Sequence, residues 1–324
     1  MTSHDHQLDN LKFILILLVV FGHMLEAALP VSPTLKTLYA TLYVFHVPAL
    51  VFLTGITSKQ RLTAWHALGL LLILAVFQTT YVLQFAAPDF PFFTTPYWIM
   101  WFILSLLCWR LTLPLFHRIP YPCTAAFLIA FMSGFIPSIG TEFGMSRTLV
   151  FLPFFTLGHF HGRKILDWCK APLPRWLPPL TILLALITTF TTALLLGDIK
   201  WLYGSASYAT LTAAPLHALA ARTLHYLSAA SGILALLFLV TPEQRKWSKR
   251  GARILTIYLF HGFFVPALGM LMAVLSHHGA WAALLFALSA TAWLGYVLSI
   301  DSPLNSAVNW LYRPKKLWKK LRRT

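Results

Sequence analysis

Residues Leu8–Glu26, LDNLKFILILLVVFGHMLE, form an apolar run long enough to enter a bilayer, with a lysine near its start and a histidine deep inside. Lys12 and His23 stand eleven positions apart. At about 100° per residue this is three turns plus roughly 20°, so both side chains share one face of a helix. The rise between them is about 16 Å, the distance from the edge of a roughly 30 Å hydrocarbon core to its middle. Glu26, three residues beyond His23, falls on nearly the same face. A plain membrane anchor needs none of these groups. Burying an ionisable side chain in mid-membrane costs several kcal/mol unless a partner or a wet cavity receives it, so the three together point to function.

The remainder of the chain suits a housing for that helix. It is 58% hydrophobic and only 10% charged over 324 residues, far below the roughly 25% charged content of soluble domains. This composition predicts an all-α, polytopic integral membrane bundle forming a single domain over residues 1–324. The net charge of +16 is not the footprint of a nucleic-acid binder, because the basic residues sit in short patches between apolar runs. Such patches report orientation and contact with anionic lipid headgroups, and can receive a phosphorylated cofactor. Cys108, Cys123 and Cys169 suggest neither a disulfide nor a metal cluster. The first run carries Glu26 and has little positive charge before it, which favours a retained span over a cleaved signal peptide.

Apolar runs of spanning length predict ten helices near Leu11–Leu29, Tyr39–Ile56, Ala64–Phe85, Tyr97–Phe116, Cys123–Ile139, Thr148–His161, Pro178–Leu196, Leu224–Val240, Ile254–Leu275 and Ala280–Ile300. Twenty-one lysines and arginines fall in the N-terminus, the even-numbered connections and the C-terminus, including the basic tail 313–324. Four fall in the odd-numbered connections: Lys36, Arg147, Lys200 and Arg222. The positive-inside rule then places both termini in the cytoplasm and requires an even number of spans. The connection Gly197–Arg222, with Trp201, Tyr203, Ser205, Ser207 and Tyr208, fits an interfacial aromatic belt or a sugar-facing surface.

Histidines are the chemically versatile residues here. His23 and His46 lie in the first two runs and His261 in the ninth. Imidazole exchanges protons near neutral pH and serves as a general base where it reaches the proton to be removed. Glu26 is placed to hold the His23 tautomer, as the acid does in a catalytic triad, or to face acceptor hydroxyls. His46 precedes Pro48 and His261 precedes Pro266, and a polar residue beside a helix kink often borders a cavity. Arg147 is read either as an interfacial arginine paired with Glu142 or as a guanidinium turned into the bundle. No Walker loop, GxGxxG, GxSxG, HExxH or CxxC pattern occurs. The chemistry must use an imported activated group, or the protein is a transporter.

These residues carry a family resemblance. LDNLKFILILLVVFGH resembles the opening helix of membrane acyltransferase family 3, a basic residue followed by ten others and then histidine, with Lys12 where arginine is usual. FHVPALVFLTG with Lys59 and Arg61 after it, PYWIMWFILSL, SRTLVFLPFFTLGHFHGR, TIYLFHGF and DSPLN resemble segments of the sugar O-acetyltransferase branch, which includes fucose acetylase-like proteins. The resemblance implies transfer of an acyl group, most often acetyl from acetyl-CoA, to a carbohydrate hydroxyl of a cell-surface or lipid-linked glycan. It implies His23 as base, and Lys12, Lys59, Arg61 and Arg163 near the CoA phosphates. It further implies a bacterial cytoplasmic (inner) membrane protein that uses no metal. The substrate and its developing oxyanion would be met by Arg147, His46, His261, Trp98 or Trp101, between which the sequence does not choose. The mechanism expects a polar cavity running from the basic face to His23. The rival reading from another class is a secondary transporter using the same His and Glu residues as a proton relay. An assembly subunit without activity would leave Lys12, His23 and Glu26 unexplained.

Overall fold

The computed structural model describes residues 5–212 and 214–315. The chain is 78% helix, with no strand among the described residues. Each of the ten predicted runs holds a helix: α1 His6–Glu26, α2 Pro33–Thr57, α3 Ala64–Phe85, α4 Met100–Phe116, α5 Pro122–Ser133, α6 Met145–Lys170, α7 Leu177–Leu196, α10 Pro215–Leu239, α11 Ile254–His278 and α12 Ala280–Leu298. Single-turn helices α8 Lys200–Tyr203 and α9 Tyr208–Leu211 lie between α7 and α10, and a short amphipathic helix, α13 Pro303–Tyr312, follows α12. Seven segments are long and apolar enough to cross a membrane: α1, α2, α3, α7, α10, the stretch Ser248–His278 and α12. Helices α4 and α5 are apolar but shorter. Helix α6 runs on past its apolar half through Arg163, Lys164, Asp167 and Lys170. Of the basic tail, residues 316–324 lie outside the described residues.

Helix α1 stands near the middle of the bundle, against α2, α11 and α12. Two thirds of its apolar window (67%) is buried, against 17% for the peripheral α7. Its first turn is fastened by side chains an apolar anchor would not carry. Gln7 donates to the carbonyls of Leu237 and Val240 at 3.0 and 2.9 Å, and Asn10 donates to those of Thr241 and Glu243 at 2.9 Å. These bonds satisfy the open carbonyls at the C-terminal end of α10 and fix the height of α1 in the bundle. Helix α2 packs on α6 at backbone contact: a Cβ on Gly158 would collide with the Phe52 carbonyl. Small residues at such crossings let helices approach closely where no hydrophobic drive separates lipid from protein.

Several boundaries differ from the sequence reading, and two of these differences move charged or titratable groups. Helix α1 starts at His6, where Asp5 caps it by accepting from the Leu8 amide, and stops at Glu26 instead of Leu29. His23 therefore lies one turn from the helix end. Helix α10 starts at Pro215, nine residues before Leu224, because proline at the first turn and an alanine-rich run favour helix there. Arg222 thus belongs to a helix interior and not to an outer connection. It is 1% exposed, donates to the Trp201 carbonyl at 3.0 Å, and lies 3.3 Å from His225 Nδ1.

Candidate active site

A cavity of about 370 Å³ opens beside the C-terminal turn of α1. Val19, His23 and Glu26 supply the α1 wall, with Tyr43 and His46 from α2, Trp98 and Trp101 around the start of α4, Arg147 from α6, and Tyr203 from α8. Its size falls at the lower end of small-molecule pockets, and its lining is mostly apolar with a few convergent polar groups.

Glu26 is the hub of the polar side. Its Oε1 accepts from the Tyr39 hydroxyl at 3.0 Å and the Tyr43 hydroxyl at 3.2 Å. His23 Nδ1 lies 3.3 Å from the same oxygen, within ion-pair reach but off the line of a well-formed hydrogen bond. Tyr39 in turn shares a 2.6 Å contact with the Tyr203 hydroxyl. Burial pushes the Tyr203 phenol up to about 12, so it stays protonated and available to that bond. Two tyrosines one helical turn apart therefore hold the carboxylate, and the carboxylate faces Nδ1. That arrangement favours the Nδ1–H tautomer and leaves Nε2 with its lone pair.

The remaining aromatic wall shapes the space around the imidazole. Trp98 lies edge-on to His23 with centroids 4.7 Å apart, and His261 stacks on it at 5.4 Å. Trp98 belongs to the turn before α4, not to the predicted helix, and has φ of 40°, a left-handed conformation costly for a bulky residue. Gln78 on α3 pins this turn, accepting from the Tyr97 amide at 2.8 Å and donating to the Thr95 carbonyl at 2.9 Å. Gly262 makes room for the indole, since a Cβ there would stand 2.8 Å from Trp98. His46 and His261 each direct Nδ1 at a carbonyl of their own helix, Leu42 at 2.8 Å and Ile257 at 3.0 Å. A carbonyl only accepts, so each neutral ring carries its proton on Nδ1 and presents Nε2 as an acceptor. His261 Nε2 is buried with no partner, and His261 is not among the residues lining the cavity.

Arg147 also lines the cavity. Its guanidinium carbon lies 5.1 Å from the Trp101 ring and 5.9 Å from the Tyr203 ring. Glu142 is exposed, and no ion pair joins the two. Of the two sequence readings of Arg147, the inward one describes its position.

The basic residues are elsewhere. Lys12 is 3.4 Å from Asp9, and Arg163 is 2.7 Å from Asp5. Lys59 and Arg61 are exposed beyond the end of α2. Along α1 the cavity ends at Val19, and Leu15 and Ile16 on the same face are 1% and 0% exposed. The expected polar channel from Lys12 to His23 is not a continuation of this cavity along that face of α1, where Leu15 and Ile16 pack. The exposed cations still suit the phosphates of a nucleotide-bearing donor, because anions are held well by guanidinium and ammonium groups at a solvated surface. Among the described residues no group of three or more His, Cys, Asp or Glu side chains is placed to hold a metal ion.

Residues 5–300 match the family model for the acyltransferase domain of family 3. The chain belongs to acyltransferase family 3. Membership over nearly the whole chain, with several helices able to span a bilayer, supports a membrane acyltransferase. No curated protein and no solved structure matches the chain significantly. In this family member the sequence reading passed over Tyr39, Tyr43 and Tyr258, the last a further residue of the cavity lining. The first two were legible: Tyr39, Tyr43 and His46 recur at i, i+4 and i+7, one polar face in an otherwise apolar helix.

Proposed function

We propose that the protein is an integral membrane O-acyltransferase that moves an acyl group, acetyl in the simplest case, from acyl-CoA to a carbohydrate hydroxyl. The observation that carries this reading is the His23–Glu26 pair, held by two tyrosines at the wall of a cavity large enough for a sugar. His23 Nε2 takes the proton of the acceptor hydroxyl. Glu26 keeps the other nitrogen protonated and balances the imidazolium charge that develops. Acyl-CoA, when bound, supplies the activated carbonyl. Lys12, Lys59, Arg61 and Arg163 are the residues that hold its phosphates. Trp98, Trp101 and His46 shape the acceptor space, and His261 backs the His23 ring.

Ten helices cross the bilayer in this reading, with both termini cytoplasmic, an even count that suits twenty-one basic residues on one side against Lys36, Arg147 and Lys200 on the other. The membrane is the bacterial inner membrane, and the acceptor is a surface or lipid-linked glycan. Mass spectrometry of surface glycans from cells with and without the gene tests the proposal directly. The expected result is a mass difference of one acyl group. Identical glycans, together with no thermal stabilisation of the purified protein by CoA, would overturn it.

A further inference from the structure

Among the described residues lining the cavity, Arg147 is the one permanent cation, and its guanidinium makes no hydrogen bond and no ion pair. Its aromatic neighbours Trp101 and Tyr203 hold it by cation–π contact, which leaves its N–H donors unspent. Glu26, the only carboxylate on the same wall set, is engaged elsewhere: its Oε1 faces Tyr39, Tyr43 and His23. Arg222, a second arginine near this end of the bundle, shows the contrast. It is fully buried and spends its NH1 on the Trp201 carbonyl, close to His225. One arginine is structural. The other is positioned and left open.

The positions across the cavity also set a spacing. Tyr203 touches Arg147 on one side, at 5.9 Å, and on the other its ring is 5.4 Å from Tyr43, which bonds Glu26. Arg147 and the His23–Glu26 pair thus line one cavity, linked through Tyr203 and Tyr43. A guanidinium in that cavity meets a second substituent of a sugar whose hydroxyl approaches His23. A neutral hydroxyl would satisfy part of its donor set. A carboxylate or phosphate satisfies it bidentately, with charge-assisted bonds roughly twice as strong as neutral ones.

We infer that the acceptor is anionic, a sugar bearing a carboxylate or a phosphate, which Arg147 reads in the same cavity in which His23 meets the acylated hydroxyl. The inference rests on the proposed acyl transfer to a carbohydrate, but its test does not use turnover. Binding of glucose, glucuronate and glucose 1-phosphate to the detergent-solubilised full chain is measured by thermal shift and calorimetry. One or both anionic sugars should bind roughly tenfold or more tightly than glucose, the difference between a charged and a neutral partner for the same donors. Arg147→Met should abolish that preference and Arg147→Lys should keep part of it. His23→Asn, which removes the proposed base, should leave it intact, so failure of the acyl-transfer proposal and failure of this one give different results. Equal affinity for the three sugars in the unmodified protein would overturn the inference without any variant. So would an anion preference that survives in Arg147→Met, because the anion would then be held at the basic end of the bundle.

Discussion

At its N-terminal end α1 meets solvent and other charges; at its C-terminal end it closes a cavity. Lys12 is partly exposed and pairs with Asp9, and near it Asp5 gathers Arg163 and Lys170 at 2.7 and 3.5 Å. His23 faces one carboxylate oxygen that two tyrosines already hold. The first arrangement is redundant, many charges at one surface, each screened by water and salt. The second is singular: one carboxylate oxygen gathers two tyrosines and the imidazole, so loss of Glu26 strands several groups at once in a low-dielectric site. Leu15 and Ile16 lie between the two and are buried. The helix thus joins two sites that differ in how much a single side chain matters, and substitutions at the two ends should differ accordingly.

The largest effect is expected at His23. His23→Ala should lower acyl transfer by on the order of 10²–10⁴, the usual loss on removing a positioned base. Thermal stabilisation by CoA should persist, because the proposed phosphate site lies at the other end. Turnover within a fewfold of the unmodified protein would remove His23 from the chemistry. Loss of CoA stabilisation in the same variant would show that the two ends are not separate.

Next comes the tyrosine pair. Tyr39→Phe with Tyr43→Phe removes both hydroxyl donors to Glu26 while keeping the stacked rings, whose centroids are 4.0 Å apart. Hydrogen bonds to a charged group are worth about 1.5–3 kcal/mol, so kcat should fall roughly ten- to a hundredfold. The positioning role predicts that the loss appears in kcat and not in KM for the donor, and that either single variant is milder. A double variant with unchanged kcat would reduce the tyrosines to packing.

These contrasts also mark what the sequence could disclose. Periodicity placed helices in all ten windows, and α3 matches its predicted bounds of Ala64–Phe85, because apolar run length is a local property. The shared face of Lys12, His23 and Glu26 was legible for the same reason. What lay between Lys12 and His23 was not, because Leu15 and Ile16 read equally well as a cavity wall or as a plug until their neighbours are placed. Arg222 was misassigned to a loop because arginine lowers hydropathy whether it faces water or, as here, a carbonyl and two aromatic rings. Trp98 was expected inside a helix, since no local signal announces a left-handed residue held by a distant Gln78. The site was half visible: its titratable groups showed by their oddity, and the tyrosines that orient them were hidden among ordinary membrane aromatics.

The smallest effect, and the most telling about the basic end, is expected at Lys12. The family pattern that it matches pairs it with His23, which would suggest an equal loss. Its surroundings argue otherwise: its side chain is 27% exposed, Asp9 already neutralises part of its charge, and Lys59, Arg61 and Arg163 offer alternatives. An exposed charge pair contributes about 0–1 kcal/mol, so Lys12→Ala should weaken CoA binding by roughly fivefold at most. Lys12→Arg should match or exceed the unmodified protein, since the guanidinium fork suits phosphate better. The deficit should shrink as salt is raised from about 0.01 M, where charges reach about 30 Å, to about 1 M, where they reach about 3 Å. The Lys12→Ala and His23→Ala effects should add, as they do for groups without shared partners. A hundredfold loss in Lys12→Ala that is indifferent to salt would mean that Lys12 reaches a buried phosphate, and hence that the packed face of α1 opens when the donor binds.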